Sequence, residues 1–231
     1  MIRVEGKDVF TELHELADPR HAALLLIDMQ RDFVEDGGAF AGMGVDISMY
    51  PAIRPRLAGL LDAARRHGVL VVHVQNTALP GRLSDSPAQI RFNLRLHLGS
   101  EGVIEPLDYT PDGSEGQRII PELEPRDGDV VIKKYRSSAF WGTNLDMLLR
   151  ANGIKTCLVS GCTTEGCVES TARDAMFHDY YVVIANDCVA TYNKELHEAS
   201  LKVMGSRFDM LSSADVMDIW DRGARTSIAA Q

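Results

Sequence analysis

Residues 159–175 read VSGCTTEGCVESTARDA. An apolar run ends at Ser-Gly, a short polar turn follows, and an amphipathic stretch opens at the second cysteine. That order reads as strand, turn, helix. It recurs along the chain. AALLLID (22–28), GVLVVHV (68–74), DVVIKK (129–134), TCLVSG (156–161), YYVVIA (180–185) and RFDMLS (207–212) are apolar runs of strand length. Continuous rather than alternating apolarity marks strands buried on both faces. Helical patterns lie between them. Leu57, Leu60, Leu61 and Ala64 share one face, and Gly68 stops that helix. TNLDMLLRANG starts at Thr143 as a cap candidate and ends on Gly153, and CVESTARDAMFHD, NKELHEASLKVMG and SADVMDIWDRG complete the set. Such alternation predicts a mostly parallel sheet with helices on both faces.

With 231 residues, the chain is long enough for one α/β domain spanning 1–231 with a substantial core. A net charge of −9 disfavours nucleic acid or an anionic membrane as partner, since both select a basic surface. No apolar run approaches the roughly 18 residues of a membrane span. The opening MIRVEGKDVFTELHELADPR lacks the apolar centre of a secretion signal, so a cytoplasmic setting is expected. In that reducing compartment Cys157, Cys162, Cys167 and Cys188 are expected to be free thiols. Residues 76–128 break the rhythm with LPGR, YTPDGSEG and EPRDGD, and with only a short helical pattern near 87–97. A loop of this length shapes an active site or covers it, or else is a disordered insertion.

In open parallel sheets, ligands bind beyond the carboxyl ends of the strands. Three polar residues stand there. Asp28 ends LLLID, Lys134 ends VVIKK, and Cys167 follows LVSG by one turn. A thiol attacks only as thiolate. Lys134 and the start of a helix would favour the anion, Asp28 could accept the proton, and Gly166 permits the tight turn. Backbone N–H groups of CTTEGC could hold an oxyanion. Each residue alone has an ordinary structural reading, as packed cysteine or strand-end turn. The combination of three complementary types carries the argument. No histidine competes: His178 lies roughly 16 Å along the helix axis from Cys167. His73 sits inside a strand as a core histidine, and His14, His21, His67, His97 and His197 have no motif around them.

ALLLIDMQRDFV, VVIKKYRSSAFWGTNLDMLLR and LVSGCTTEGCVESTARDAMFHDYYVVIANDC together resemble the isochorismatase-like cysteine hydrolases, over about Ala22 to Asp218. The resemblance implies a single three-layer α/β/α domain with a six-stranded, mostly parallel sheet. It implies a catalytic triad of Asp28, Lys134 and Cys167, with Lys134 rather than Lys133 preceding YRSSAF. A cis peptide at Cys162–Thr163 and an oxyanion hole from the N–H groups of Thr163 and Cys167 are also implied, with a dimer or tetramer as assembly. On this reading Cys162 shapes the turn, and Cys157 and Cys188 are structural.

Within that family the chain departs from the metal-dependent nicotinamidases. Asn76 and Ala78 stand where their Asp-x-His motif would be, so neither a metal nor another cofactor is expected. Tyr192 stands where N-carbamoylsarcosine amidases place an arginine for the substrate carboxylate. GGAFAGMGVD, VQN and CVEST are similar to ureidoacrylate amidohydrolases. The expected activity is hydrolysis of a C–N bond in a small linear amide, a ureido or carbamoyl compound, through a thioester with release of ammonia. A vinyl-ether hydrolase, a silent binding protein and a redox sensor using Cys162 and Cys167 are the alternatives. Phe33, Gln75, Asn76, Asn93, Tyr135, Arg136, Trp141 and Tyr192 are expected to line the substrate pocket. The substrate is expected to be either a neutral ureido or amide compound, or an acidic one held by Arg136, Arg82, Arg91 or Arg95.

Overall fold

The computed structural model describes residues 1–94 and 108–229. Its strands form where the apolar runs stand: β3 (Ala22–Ile27), β4 (Leu70–Asn76), β5 (Val130–Lys134), β6 (Thr156–Cys162), β7 (Tyr181–Ala190) and β8 (Asp209–Leu211). They make one six-stranded sheet in the order β5-β4-β3-β6-β7-β8, every pair parallel. A two-stranded antiparallel hairpin precedes it, β1 (Ile2–Val4) with β2 (Lys7–Val9). The sequence reading lacks this hairpin, because exposed charged strands carry no buried-face signal.

Every residue of β3 is buried, which explains its unbroken apolar run. Its side chains divide between two cores. Leu24 and Leu26 join Leu57, Leu60, Leu61 and Trp220, from α4 (Tyr50–Arg66) and α9 (Ser213–Ala229), on one face. Ala23, Leu25 and Ile27 join Leu145, Leu149, Ala172 and Ala175, from α6 (Leu145–Ala151) and α7 (Glu169–Phe177), on the other. The helix α8 (Lys194–Gly205) adds Met204 to this second core. The helix α4 starts earlier than its apolar face shows, at Tyr50, and runs past Pro51 and Pro55. A proline in the first turn gives up only donors that lack helical partners there. It ends as expected, at Gly68 in the left-handed region (φ +68°). The helix α6 starts at Leu145 with Asn144 at its cap position, while the Thr143 hydroxyl accepts from the Leu145 N–H at 3.1 Å.

Chain connections run outward from β3 in one direction and from β6 in the other, so a crevice opens where β3 and β6 adjoin. Short helices α1 (Leu13–Leu16), α2 (Arg31–Val34) and α3 (Ala39–Gly42) flank the first sheet strand. The described part of the 76–128 segment holds α5 (Pro87–Leu94) and single turns at Pro80–Arg82 and Pro121–Leu123. It is stitched to the end of β3. Gln30 Nε2 donates to the Asn76 and Gln117 carbonyls, and the Arg31 and Asp32 N–H groups donate to Arg118 and Gly116. No described helix is long and apolar enough to cross a membrane.

Candidate active site

Strand alternation on β5 separates its two lysines. Lys133 points outward and pairs with Asp112 at 2.5 Å, whereas Lys134 is fully buried. The Lys134 ammonium donates to Asp28 Oδ2 at 2.7 Å, to Cys167 Sγ at 3.1 Å and to the Arg136 carbonyl at 3.1 Å. Its three protons therefore have three acceptors. Asp28 sits immediately after β3 in the left-handed region (φ 52°), anchored by its N–H to the Val74 carbonyl. Its other oxygen, Oδ1, is buried without a hydrogen-bond partner among the described residues.

The glycines of the quoted stretch have steric causes. Gly161 adopts φ +107°, and a Cβ there would lie 2.1 Å from the Ile27 carbonyl oxygen. Only glycine lets β6 approach β3 so closely. A Cβ on Gly166 would meet the Thr163 hydroxyl at 2.4 Å. The peptide Cys162–Thr163 is cis, as the resemblance implies. Thr164–Val168 forms one wide turn, closed by the Val168 N–H on the Thr163 carbonyl, and leads into α7. Cys167 thus lies inside this turn.

The two cysteines of the stretch differ in kind. Cys162 is fully buried and its thiol donates to the Asp28 carbonyl at 3.1 Å, tying the two strand ends together. Burial holds that thiol well above its ordinary pKa. Cys167 is half-buried and faces a cavity. Burial, with Asp28 beside it and Lys134 opposing, pushes its pKa up to about 12. This direction is opposite to the acidified thiol that the sequence suggests. The Lys134 charge is matched by Asp28, so a thiolate would add a second, uncompensated negative charge. Burial likewise raises Asp28 above its ordinary carboxylate value against the pull of Lys134. Lys134 stays protonated, because the adjacent Asp28 and Cys167 outweigh the cost of its own burial.

The cavity above these groups has a volume of about 290 Å³. Of the expected lining residues, Phe33, Asn76, Asn93, Arg136 and Tyr192 belong to its wall. Gln75, Tyr135 and Trp141 do not line it. The Gln75 amide donates to the Gln117 carbonyl, Tyr135 faces a neighbouring surface depression, and Trp141 is 65% exposed under the Arg136 guanidinium. The wall also contains Phe40, Phe92, Tyr109 and Leu196, with Gln89, Ser137 and Glu165 as further polar groups. Phe40 comes from the glycine-rich stretch after β3, where spacing alone gives no hint of direction. Glu165 stands inside the quoted motif and could have been found there, as the one acid between the two cysteines.

Of the arginines, Arg136 lines the cavity, but its Nη1 already donates to the carbonyls of Ser84 and Tyr135. Arg82 pairs with Asp85, Arg91 is exposed, and Arg95 and His97 lie outside the described residues. Among the described residues no histidine lines the cavity. His73 is buried in β4 and bonds Asp129 at 3.2 Å, and His197 contacts the Thr164 hydroxyl at 2.8 Å. Asn76, in place of a metal ligand, donates to the Thr110 hydroxyl.

The isochorismatase domain model matches residues 22–216. Maleamate amidohydrolase of Pseudomonas putida is 31% identical over 199 residues, 86% of each chain. Ureidoacrylate amidohydrolase RutB of Enterobacter sp. (strain 638) is 30% identical over 220 residues, 91% of this chain and 93% of its own. The crystal structure of N-carbamoylsarcosine amidase from Thermoplasma acidophilum superposes with a TM-score of 0.64 at 28% identity, covering 84% of this chain and 96% of its own. With a matched domain that runs from β3 into α9 and takes in all three strand-end residues, the chain belongs to the isochorismatase family.

Proposed function

We propose that the protein is a cysteine amidohydrolase that cleaves the C–N bond of a small linear amide, a ureido or carbamoyl compound, with release of ammonia. The observation that carries this is the buried ammonium of Lys134, which bonds both the Asp28 carboxylate and the Cys167 thiol at the edge of the cavity. The named relatives, which are amidohydrolases, support the bond class.

In this mechanism Asp28 takes the thiol proton as sulfur attacks the carbonyl carbon. Moving the proton between the two groups keeps the buried cluster electrically neutral, which avoids the cost of a lone thiolate. The raised basicity of Asp28 suits it to the task. The N–H groups of Thr163 and Cys167 receive the tetrahedral oxyanion. Asp28 then gives its proton to the leaving nitrogen, ammonia departs and a thioester remains. Water, deprotonated by Asp28, attacks the thioester, and the thiol recovers its proton as the acid leaves. A ureido substrate yields a carbamate, which breaks down to carbon dioxide and a second amine. Lys134 holds the two reacting side chains in register throughout.

The test is ammonia release across nicotinamide, N-carbamoyl amino acids, ureidoacrylate, biuret and maleamate, with Cys167→Ala as control. Ammonia from at least one substrate, lost in the variant, is the expected result. Hydrolysis of a vinyl ether without ammonia would replace this reading. Activity is expected to survive prolonged chelation, because Ala78 offers no ligand and the Asn76 amide is engaged with Thr110. A cytoplasmic homo-oligomer completes the proposal. Exposed Phe92, Trp141 and Phe177 around one surface depression support self-association, and light scattering on the purified protein tests it.

A further inference from the structure

The cavity wall combines aromatic side chains with polar groups, and among the described residues its one carboxylate outside the Asp28–Lys134–Cys167 cluster is Glu165. One oxygen of that carboxylate, Oε1, accepts from the Thr191 hydroxyl at 3.0 Å. The other, Oε2, is buried with no hydrogen-bond partner among the described residues. A buried acceptor left unpaired is costly, and a ligand N–H that reached it from the cavity would remove that cost. Glu165 lies two residues before Cys167 in the same wide turn, so its place relative to the thiol is fixed by backbone. Burial raises its pKa, against the Thr191 bond, and an N–H donor would relieve that penalty.

We infer that Glu165 is a specificity residue that accepts a hydrogen bond from an N–H group of the substrate and repels a substrate carboxylate. The inference rests on the amidohydrolase reading and sharpens its substrate class: a neutral, N–H-bearing ureido or diamide compound rather than an acidic one. Arg136 is held in the same wall by one guanidinium nitrogen that donates to two backbone carbonyls. The apolar remainder of the wall, including Phe33, Phe40 and Tyr109, accommodates an uncharged body.

The test compares maleamide with maleamate, one skeleton differing only in carboxamide against carboxylate. Wild-type enzyme should favour the diamide at least tenfold in kcat/KM. Glu165→Gln, which can still accept from Thr191, should reduce that preference at least tenfold, mainly through KM. Glu165→Ala should do the same. An unchanged ratio in both variants, or equal loss on both substrates, overturns the inference. Binding of the same pair to Cys167→Ser enzyme by calorimetry, with and without Glu165→Gln, reads recognition without chemistry. If wild-type enzyme hydrolyses no amide, the amidohydrolase reading fails. The calorimetric preference for maleamide and its loss in Glu165→Gln then decide the role of Glu165 alone. Equal affinity for both ligands, or no binding of either, overturns it.

Discussion

Asp28 presents two oxygens with different fates: Oδ2 is held by Lys134, while Oδ1 is buried without a hydrogen-bond partner among the described residues. That asymmetry suits a base which must stay in place and still accept a proton. Burial lifts its pKa above the ordinary 3.8, so kcat/KM should fall as pH drops through a value above 3.8. A pH–rate profile whose acid limb lies below that would show that Lys134, not desolvation, dominates. The thiol makes a second prediction. Burial pushes the Cys167 thiol up, so iodoacetamide should label it slowly at neutral pH, faster as pH rises. It should still be the first site modified, because Cys157, Cys162 and Cys188 are buried. Peptide mapping after labelling checks both statements, and early modification of Cys157 would contradict them. The three strand-end residues were legible because chemistry and position coincided in each. Resting acidity was not legible, since it depends on who already neutralises Lys134.

At the level of elements, the six runs of the sheet were readable, and β3 and β6 show why: burial on both faces removes polar residues from a strand. The edge strand β5, by contrast, exposes Val131 and Lys133, and β7 continues past its apolar run to Ala190. The N-terminal hairpin and the inward turn of Phe40 were not, as neither leaves a periodic trace. Pairing across the edge of the sheet was equally silent. Asp129, just before β5, bonds Arg65 of α4 at 2.5 Å, His73 of β4 at 3.2 Å and the Arg126 N–H at 2.9 Å. Burial opposes its charge, but these partners win and its pKa is lowered. A carboxylate depressed in the fold stabilises above its unfolded pKa, and the gain is lost as pH falls through the folded one. Asp129→Asn should therefore lower stability at neutral pH by about 1–3 kcal/mol. The gap to wild type should close in strong acid. Thermal melts at pH 7 and pH 3 measure it, and an equal gap at both would mean packing rather than charge.

Over the whole molecule, the site is assembled from three strand ends widely spaced in sequence, so its integrity depends on the sheet and on what closes it. The last helix supplies one closure. Trp220 of α9 is fully buried in the core that contains α4, and its indole N–H donates to the Ala17 carbonyl at 2.7 Å. That single bond joins the final helix to the segment before β3, linking the two ends of the chain. The hydrophobic face of α9 was readable, but its docking partner was not, because a backbone carbonyl carries no sequence signal. Trp220→Phe should keep most of the packing and lose the bond, at about 1 kcal/mol. Trp220→Ala should cost about 3–5 kcal/mol, through the lost side chain and the cavity left behind. For a domain of this size that is a fall of roughly 6–20 °C in Tm. The chain has two tryptophans, and Trp141 is exposed, so Trp141→Phe makes Trp220 the sole indole reporter. In that background its emission should be blue-shifted when folded and move to the red in one transition. Trp220 is absent from the lining of the cavity, so at 25 °C Trp220→Phe should retain the kcat/KM of wild type for whichever amide is turned over. A large loss of activity with Tm unchanged would instead show that α9 acts on the site through β7 and not merely through stability.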